Sequence, residues 1–255
     1  MSDVDAVART KKLLVALDFD GTLSPLVDDP MSARMAPEAR AAVDALVAAP
    51  ATVVAFVSGR SLGDLRIIAE HTDDSPILLA GSHGAEYLLP GADSDPALDP
   101  GDTDLRDRLR TEAGEMAREV PGAWIEPKTF GFGVHLRTVS DPASAERLRS
   151  AVDALVAEAA PRWRRRQGHG IVEYAFTDVG KDAAVAHLRD VVDASAVIFA
   201  GDDVTDEDAL GSLGPDDLGI RVGAGETAAS VRVGDIEELA ALLSTVARER
   251  VAARQ

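Results

Sequence analysis

Short apolar runs that stop abruptly at polar, glycine-bearing turns recur along the chain. Lys11-Lys12-Leu13-Leu14-Val15-Ala16-Leu17 breaks into Asp18-Phe19-Asp20-Gly21-Thr22, and the run at 52–57 ends at Ser58-Gly59-Arg60. The runs at 77–80 and 196–200 end at Gly81-Ser82-His83-Gly84 and Gly201-Asp202-Asp203. Continuous apolar stretches of this length read as parallel strands buried on both faces, with function at their carboxyl ends. Between the first two, Pro37-Glu38 opens an alanine-rich helix over 39–49. A run at 218–222 and a helix near 236–250 close the chain. Strand alternating with helix predicts an α/β fold with a doubly wound parallel sheet.

The middle of the chain has a different texture. Residues 90–104 are rich in Gly, Pro and Asp, and a charged helical segment follows over 104–119. Gly131 and Gly133 within 123–137 suggest strand with close backbone approach. A second amphipathic helix covers 144–160, and 162–176 reads as a strand pair turned at Gly168-His169-Gly170. Helix, two strands, helix, two strands make a small α+β unit. The predicted division is a discontinuous core, 1–88 with 178–255, and an inserted domain over 89–177.

With 255 residues, 46% of them apolar, the chain has ample material for a buried core, which argues against disorder. Acidic residues outnumber basic ones by 44 to 26, and the resulting charge of −18 repels nucleic acid and anionic membranes. In such a chain Arg162, Arg164, Arg165 and Arg166 around Trp163 read as a solvated face. The absence of cysteine excludes disulfides, thiolate metal sites and a cysteine nucleophile. None of the five histidines has metal-ligand spacing, which argues against zinc. No apolar run approaches the roughly 20 residues that cross a bilayer, so a soluble, cytoplasmic protein is expected. Only four lysines occur, at 11, 12, 128 and 181, which draws attention to Lys128 and Lys181.

Ligands of an open parallel sheet lie beyond the carboxyl ends of its strands, so Asp18, Asp20, Ser58 and Asp202 are expected to converge. Two carboxylates one residue apart, joined by Asp202 and Asp203, supply hard oxygen ligands suited to Mg²⁺. An aspartate held by a metal is also a competent nucleophile toward phosphorus. Asp20 then suits proton donation to a leaving alcohol, provided that environment separates its role from that of Asp18. Ser58 suits a hydrogen bond to a phosphate oxygen, and Lys181 suits charge neutralisation. Singly, each has an ordinary reading: Asp-x-Asp-Gly as a turn, Ser58 as a helix cap, Lys181 as a solvated charge. Residues 22–27 offer none of the further oxygen ligands that a calcium loop needs.

The order and placement of these residues resemble the haloacid-dehalogenase superfamily of aspartate-dependent phosphatases. Asp18-Phe19-Asp20-Gly21-Thr22 matches its first motif, Ser58 its second, Lys181 its third and Gly201-Asp202-Asp203 its fourth. The resemblance implies Asp18 as nucleophile and Asp20 as general acid and base. It also implies Mg²⁺ on Asp18, the Asp20 carbonyl and Asp202, with Asp203 in support, and makes the insertion a C2-type cap.

Within that superfamily the chain is similar to the trehalose-6-phosphate phosphatases. The similarity rests on Ser58-Gly59-Arg60, Gly81-Ser82-His83-Gly84-Ala85-Glu86, Glu126-Pro127-Lys128, His135-Leu136-Arg137, Glu173 and Gly201-Asp202-Asp203-Val204-Thr205-Asp206-Glu207-Asp208. It implies hydrolysis of trehalose 6-phosphate through an aspartyl-phosphate, with Glu126, Lys128 and Glu173 gripping sugar hydroxyls. Carboxylates and an ammonium read hydroxyls through charge-assisted hydrogen bonds; without the similarity, the same three residues read equally as cross-strand surface charges. Gly21, Gly59, Arg60, His83, His135 and Arg137 complete the implied substrate contacts. Two departures stand out: Ser82 where the family commonly has Asn, and Phe176-Thr177-Asp178-Val179-Gly180-Lys181-Asp182 in place of a proline-containing Lys-Gly motif. The alternatives are a phosphatase for sucrose phosphate, glucosylglycerol phosphate or mannosylglycerate phosphate, and a non-catalytic sugar-phosphate sensor. A trehalose-6-phosphate synthase is the partner that the resemblance suggests.

Overall fold

The computed structural model describes residues 3–90, 92–94, 98–168 and 170–253. By internal contact the chain divides into two compact units, Met1–Ser94 with Val179–Gln255, and Asp95–Asp178. The first begins with α1 (Asp3–Ala8), β1 (Leu13–Leu17), α2 (Pro37–Ala48), β2 (Thr52–Val57), α3 (Leu62–Ile68), β3 (Leu78–Gly81), β4 (Glu86–Leu89) and β5 (Ala92–Ser94). The second holds α4 (Pro100–Arg118), β6 (Trp124–Lys128), β7 (Gly131–His135), α5 (Pro142–Ala159), β8 (Arg164–Gly168) and β9 (Ile171–Ala175). The first then resumes with α6 (Lys181–Val192), β10 (Ala196–Gly201), α7 (Glu207–Ser212), β11 (Leu218–Val222), β12 (Val231–Val233) and α8 (Ile236–Ala252).

The sheet of the first unit has the order β12-β11-β10-β1-β2-β3-β4-β5. It is parallel from β12 to β3 and antiparallel at β4 and β5. All five residues of β1 are buried, as the apolar run requires. Alternation sends Leu13, Val15 and Leu17 into one core with Ala42, Val43 and Leu46 of α2 and Leu239, Leu243 and Val246 of α8. Leu14 and Ala16 enter the other with Ala184, Val185 and Leu188 of α6 and Ala209 and Leu210 of α7. The result is the doubly wound α/β layer predicted from the sequence. The buried Arg250 guanidinium ties α8 to the rest of the unit through the carbonyls of Ala8, Thr10, Pro50 and Ala51 and the Thr52 hydroxyl.

The second unit is a four-stranded antiparallel sheet, β6-β7-β9-β8, backed by α4 and α5. Phe132, Val134, Val172 and Tyr174 point to the helices and pack against Leu109, Ala113, Leu148 and Val152.

The expected elements are present, with informative differences at their edges. The helix expected from 104 begins at Pro100, because Asp99 caps it by accepting from Gly101 N at 2.7 Å. The helix expected from 144 begins at Pro142 under the Asp141 cap. The hairpin β4–β5 makes the first sheet mixed; its strands, at four and three residues, are too short for a pattern to register. The solvated arginine face is corrected in part: Arg166 is only 8% exposed, opposite Glu173 in the β8–β9 register. His169 of the expected turn, and 91 and 95–97 of the Gly/Pro-rich stretch, lie outside the described residues. Among the described residues no helix is long and apolar enough to cross a membrane.

Candidate active site

Leu17 pairs with Ala200 of β10 and Phe56 of β2, so register alone brings Asp18, Ser58 and Asp202 to one end of the sheet. The Asp18 amide extends the ladder by donating to the Ala200 carbonyl at 2.9 Å. The chain then tightens: Gly21 N donates to Ser24 O at 2.7 Å, and Gly21 has φ +83°. A Cβ on Gly21 would stand 2.1 Å from Asp202 Oδ2. Only glycine leaves room for that carboxylate.

Asp18 is 5% exposed and Lys181 3%. Lys181, the first residue of α6, places Nζ 2.6 Å from Asp18 Oδ1 and 2.6 Å from Asp206 Oδ1. Asp206, part of the motif that carries the family similarity but given no role of its own by the sequence, is fully buried and holds the loop after β10. Its Oδ2 accepts from the backbone amides of Asp202 at 3.1 Å and Asp203 at 2.9 Å. The signal lay in its spacing: an acid three residues after Asp203 completes a capping box at the start of a short 3₁₀ turn. The Asp203 carboxylate turns to Val204 N at 2.8 Å, and its carbonyl accepts from Arg221 Nη1 at 2.8 Å. Arg221, an arginine within the buried strand β11, is a second supporting residue that the pattern left unremarked.

One ammonium faces three carboxylates. Burial works against the Lys181 charge, but Asp18 and Asp206 outweigh it and hold the ammonium above its ordinary value. Burial pushes Asp18 up; Lys181 opposes this, and Asp206 and Asp202 add to it. Burial and then Asp206 push Asp202 up to about 6. Oxygens of Asp18, Asp202 and Asp206 lie within 4.8 Å of one another. Excess negative charge, hard oxygen donors and a pocket that a single Cβ would fill fit a small divalent cation. Both Asp206 oxygens already serve Lys181 and two amides, so Asp18 and Asp202 are the side chains that fit as ligands. The Asp202 carboxylate is oriented by the Thr22 hydroxyl at 3.2 Å.

Asp20 is gripped by Arg60, with Nε 2.6 Å from Oδ2 and Nη2 2.7 Å from Oδ1. Ser58, 2% exposed, accepts from Arg60 N at 3.2 Å; the helix cap of α3 is instead Ser61, which accepts from Asp64 N. Ser82 and His83 both adopt positive φ, +48° and +57°, where their amides meet the Arg60 and Ser58 carbonyls at 2.6 and 2.9 Å. The Ser82 hydroxyl donates to Glu86, which also accepts from Leu62 N. The buried His83 ring lies against Gly59.

A second polar cluster stands on the helix-free face of the second unit's sheet. Alternation places Trp124, Glu126 and Lys128 on one face of β6, opposite His135, Gly133 and Gly131 of β7. Glu173 of β9 stands opposite Gly133. With no side chain on Gly133, β6 and β9 reach each other across β7: Lys128 Nζ is 2.7 Å from Glu173 and 3.3 Å from Glu126. His135 Nε2 lies 2.9 Å from Glu126 Oε2. Burial pushes Glu126 up, but the His135 hydrogen bond and Lys128 charge outweigh it and hold the carboxyl below its ordinary value. Lys128 is held above its ordinary value, because Glu173 and Glu126 outweigh burial. Arg137 is exposed in the turn after β7, beside Gly170.

The trehalose-phosphatase family model matches residues 16–237. A trehalose-phosphate phosphatase of Mycobacterium marinum is 35% identical over 225 residues, covering 82% of this chain and 53% of the relative. A bifunctional trehalose-6-phosphate synthase/phosphatase of Thermoproteus tenax is 30% identical over 244 residues, covering 92% of this chain and 32% of the relative. The chain therefore spans about half the length of the first relative and a third of the second. The C-terminal domain of a C. albicans trehalose-6-phosphate phosphatase superposes with a TM-score of 0.80 at 19% identity. That superposition covers 96% of this chain and 95% of that one, a likeness of fold. The fold is thus of the haloacid-dehalogenase type that the four motifs imply, and the chain belongs to the trehalose-phosphatase family.

Proposed function

We propose that this chain hydrolyses trehalose 6-phosphate to trehalose and phosphate. The observation that carries the reading is the buried Asp18 carboxylate, 2.6 Å from Lys181 and gathered with Asp202 at the end of β1, in a chain of the trehalose-phosphatase family. Asp18 attacks phosphorus in line; the bond from phosphorus to the C6 oxygen breaks, leaving an aspartyl-phosphate. Asp20 gives its proton to the departing C6 oxygen. Water then attacks phosphorus, Asp20 takes its proton, and the acyl phosphate breaks to release phosphate and Asp18. Lys181 neutralises charge on Asp18 and the phosphoryl group, and Ser58 donates to a non-bridging oxygen. Asp18, Asp202 and the Asp20 carbonyl, with Asp203 in support, would hold Mg²⁺, which when bound would supply positive charge to the reaction.

We read the insertion expected over 89–177, whose compact unit is Asp95–Asp178, as the specificity cap, with Glu126, Lys128 and Glu173 taking the sugar hydroxyls. A charged sugar phosphate does not cross a bilayer unaided, so its hydrolysis belongs in the cytoplasm, with a trehalose-6-phosphate synthase as the partner that supplies it. The T. tenax relative, which carries both names in one chain, supports that pairing.

The test is phosphate release from a panel of mono- and disaccharide phosphates, with and without Mg²⁺, using Asp18→Asn as control. Metal-dependent turnover selective for trehalose 6-phosphate supports the reading. Selectivity for sucrose phosphate or another sugar phosphate overturns the substrate while keeping the chemistry. Retained turnover in folded Asp18→Asn overturns the nucleophile.

A further inference from the structure

Trp124 and His135 stand opposite each other in the β6–β7 ladder, with ring centroids 3.8 Å apart and planes within 6°. The imidazole is fixed from its edge by Glu126, and Glu126 by Lys128, so the indole is the outer member of an ordered chain of contacts. Yet Trp124 remains 38% exposed. It contributes nothing to the core of its unit: Ile125 turns inward there, while the chain's other tryptophan, Trp163, packs against Phe132 and Phe176. An exposed indole leaves apolar area in water, which is unfavourable. Here that area is flat, held in place by the stack, and on the same face as Glu126, Lys128 and Glu173.

A pyranose ring presents two kinds of surface: a patch of C–H bonds on its face and hydroxyls around its rim. An aromatic plane beside carboxylates and an ammonium matches both. We propose that Trp124 is a specificity-determining residue that carries one sugar ring of the substrate on its exposed face, while the neighbouring charges take that ring's hydroxyls. This deepens the sugar-phosphatase reading and rests on it.

The experiment compares the full chain with Trp124→Ala, Trp124→Leu and Trp124→Phe, each verified as folded by circular dichroism. Substrates are trehalose 6-phosphate, sucrose 6-phosphate, glucose 6-phosphate and p-nitrophenyl phosphate. Trp124→Ala should raise KM for the best sugar phosphate about tenfold, with kcat and the aryl phosphate little changed. Trp124→Leu should resemble alanine, being apolar without a plane, and Trp124→Phe should recover most of the loss. Equal losses on sugar and aryl phosphates, or an unchanged sugar KM, overturn the proposal. If the parent chain prefers another sugar phosphate, trehalose 6-phosphate fails as the substrate and Trp124 is judged on the preferred one. If it turns over no ester, Trp163→Phe leaves Trp124 as the sole tryptophan, excited at wavelengths where the two tyrosines do not absorb; the absence of saturable quenching by any of the three sugar phosphates overturns the platform, and saturable quenching sustains it.

Discussion

Arg60 holds both oxygens of Asp20 at once, at 2.6 and 2.7 Å. Such a fork fixes the orientation of the carboxylate as well as its position. The residue proposed to move protons is therefore aimed by a side chain expected, from family resemblance, to touch substrate. Arg60→Met should lower kcat for trehalose 6-phosphate about a hundredfold, within the span general acid–base catalysis supplies. With p-nitrophenyl phosphate, whose leaving group needs little help from a proton, the loss should be much smaller. Steady-state kinetics on both substrates checks this; equal losses would place Arg60 on the phosphoryl group instead.

Asp206 shares the buried Lys181 ammonium with Asp18, at 2.6 Å from each, and holds the Asp202 and Asp203 amides with its other oxygen. Asp206→Asn leaves an amide against the ammonium and one acceptor oxygen for three partners. Because Lys181 keeps Asp18, the cost is that of buried donors left short of an acceptor, about 1 to 3 kcal/mol, and kcat should fall with little change in KM. Urea unfolding and kinetics test the two effects separately.

The proposed Mg²⁺ site at Asp18 and Asp202 should link metal binding to stability. Chelation with EDTA should abolish turnover, and Mg²⁺ at 100 times its Kd should stabilise the chain by about 2.7 kcal/mol through mass action. Gly21→Ala, whose Cβ would stand 2.1 Å from Asp202 Oδ2, should lose both activity and the Mg²⁺-dependent rise in Tm. Thermal melts with and without the ion decide it.

Asp153 in the second unit accepts from Tyr174 Oη and Arg165 Nε, each at 2.6 Å. Burial pushes its carboxyl up, but the Arg165 and Tyr174 hydrogen bonds outweigh it and hold the group below its ordinary 3.8. A carboxyl lowered by folding contributes stability above its unfolded value and loses it as pH falls through the folded one. Asp153→Asn should therefore be less stable than the parent at pH 7, and the two should converge below pH 3.8. A difference that persists unchanged into acid would reject this assignment.

Arg250 reaches four carbonyls and one hydroxyl from the last turn of α8. Arg250→Met should cost on the order of 3 kcal/mol, because several charge-assisted bonds vanish and buried acceptors lose their donor. Activity per folded molecule should stay unchanged, as measured by comparing urea midpoints with kcat.

Much of the fold was legible because buried parallel strands write themselves as unbroken apolar runs, and their polar stops mark where the site lies. Asp18, Ser58 and Asp202 could be placed together from that grammar alone, before any distance was known. Asp206 could not, since a buried aspartate and a solvated one look alike in an acidic segment; only its spacing from Asp203 distinguished it. Arg166 misled for the same reason in reverse, being one of four arginines whose composition said surface. The hairpin β4–β5 escaped because three or four residues carry too little periodicity. The bridge from Lys128 to Glu173 depends on cross-strand register through Gly133, which a linear reading of the chain does not contain.

The position of β1 between β2 and β10 sets a timetable for the chain as it is synthesised. β2 follows β1 closely, but β10 is encoded beyond the whole of 95–178. Until it emerges, β1 has an unpaired edge in the middle of what will become the sheet, and Asp18 has neither Lys181 nor Asp202. The contiguous second unit is complete first, so translation delivers the groups proposed to bind sugar before the groups proposed to break its phosphate ester can assemble. An unfinished chain with an open, apolar β1 is also the form most exposed to misassembly, and chaperone dependence should concentrate in that interval.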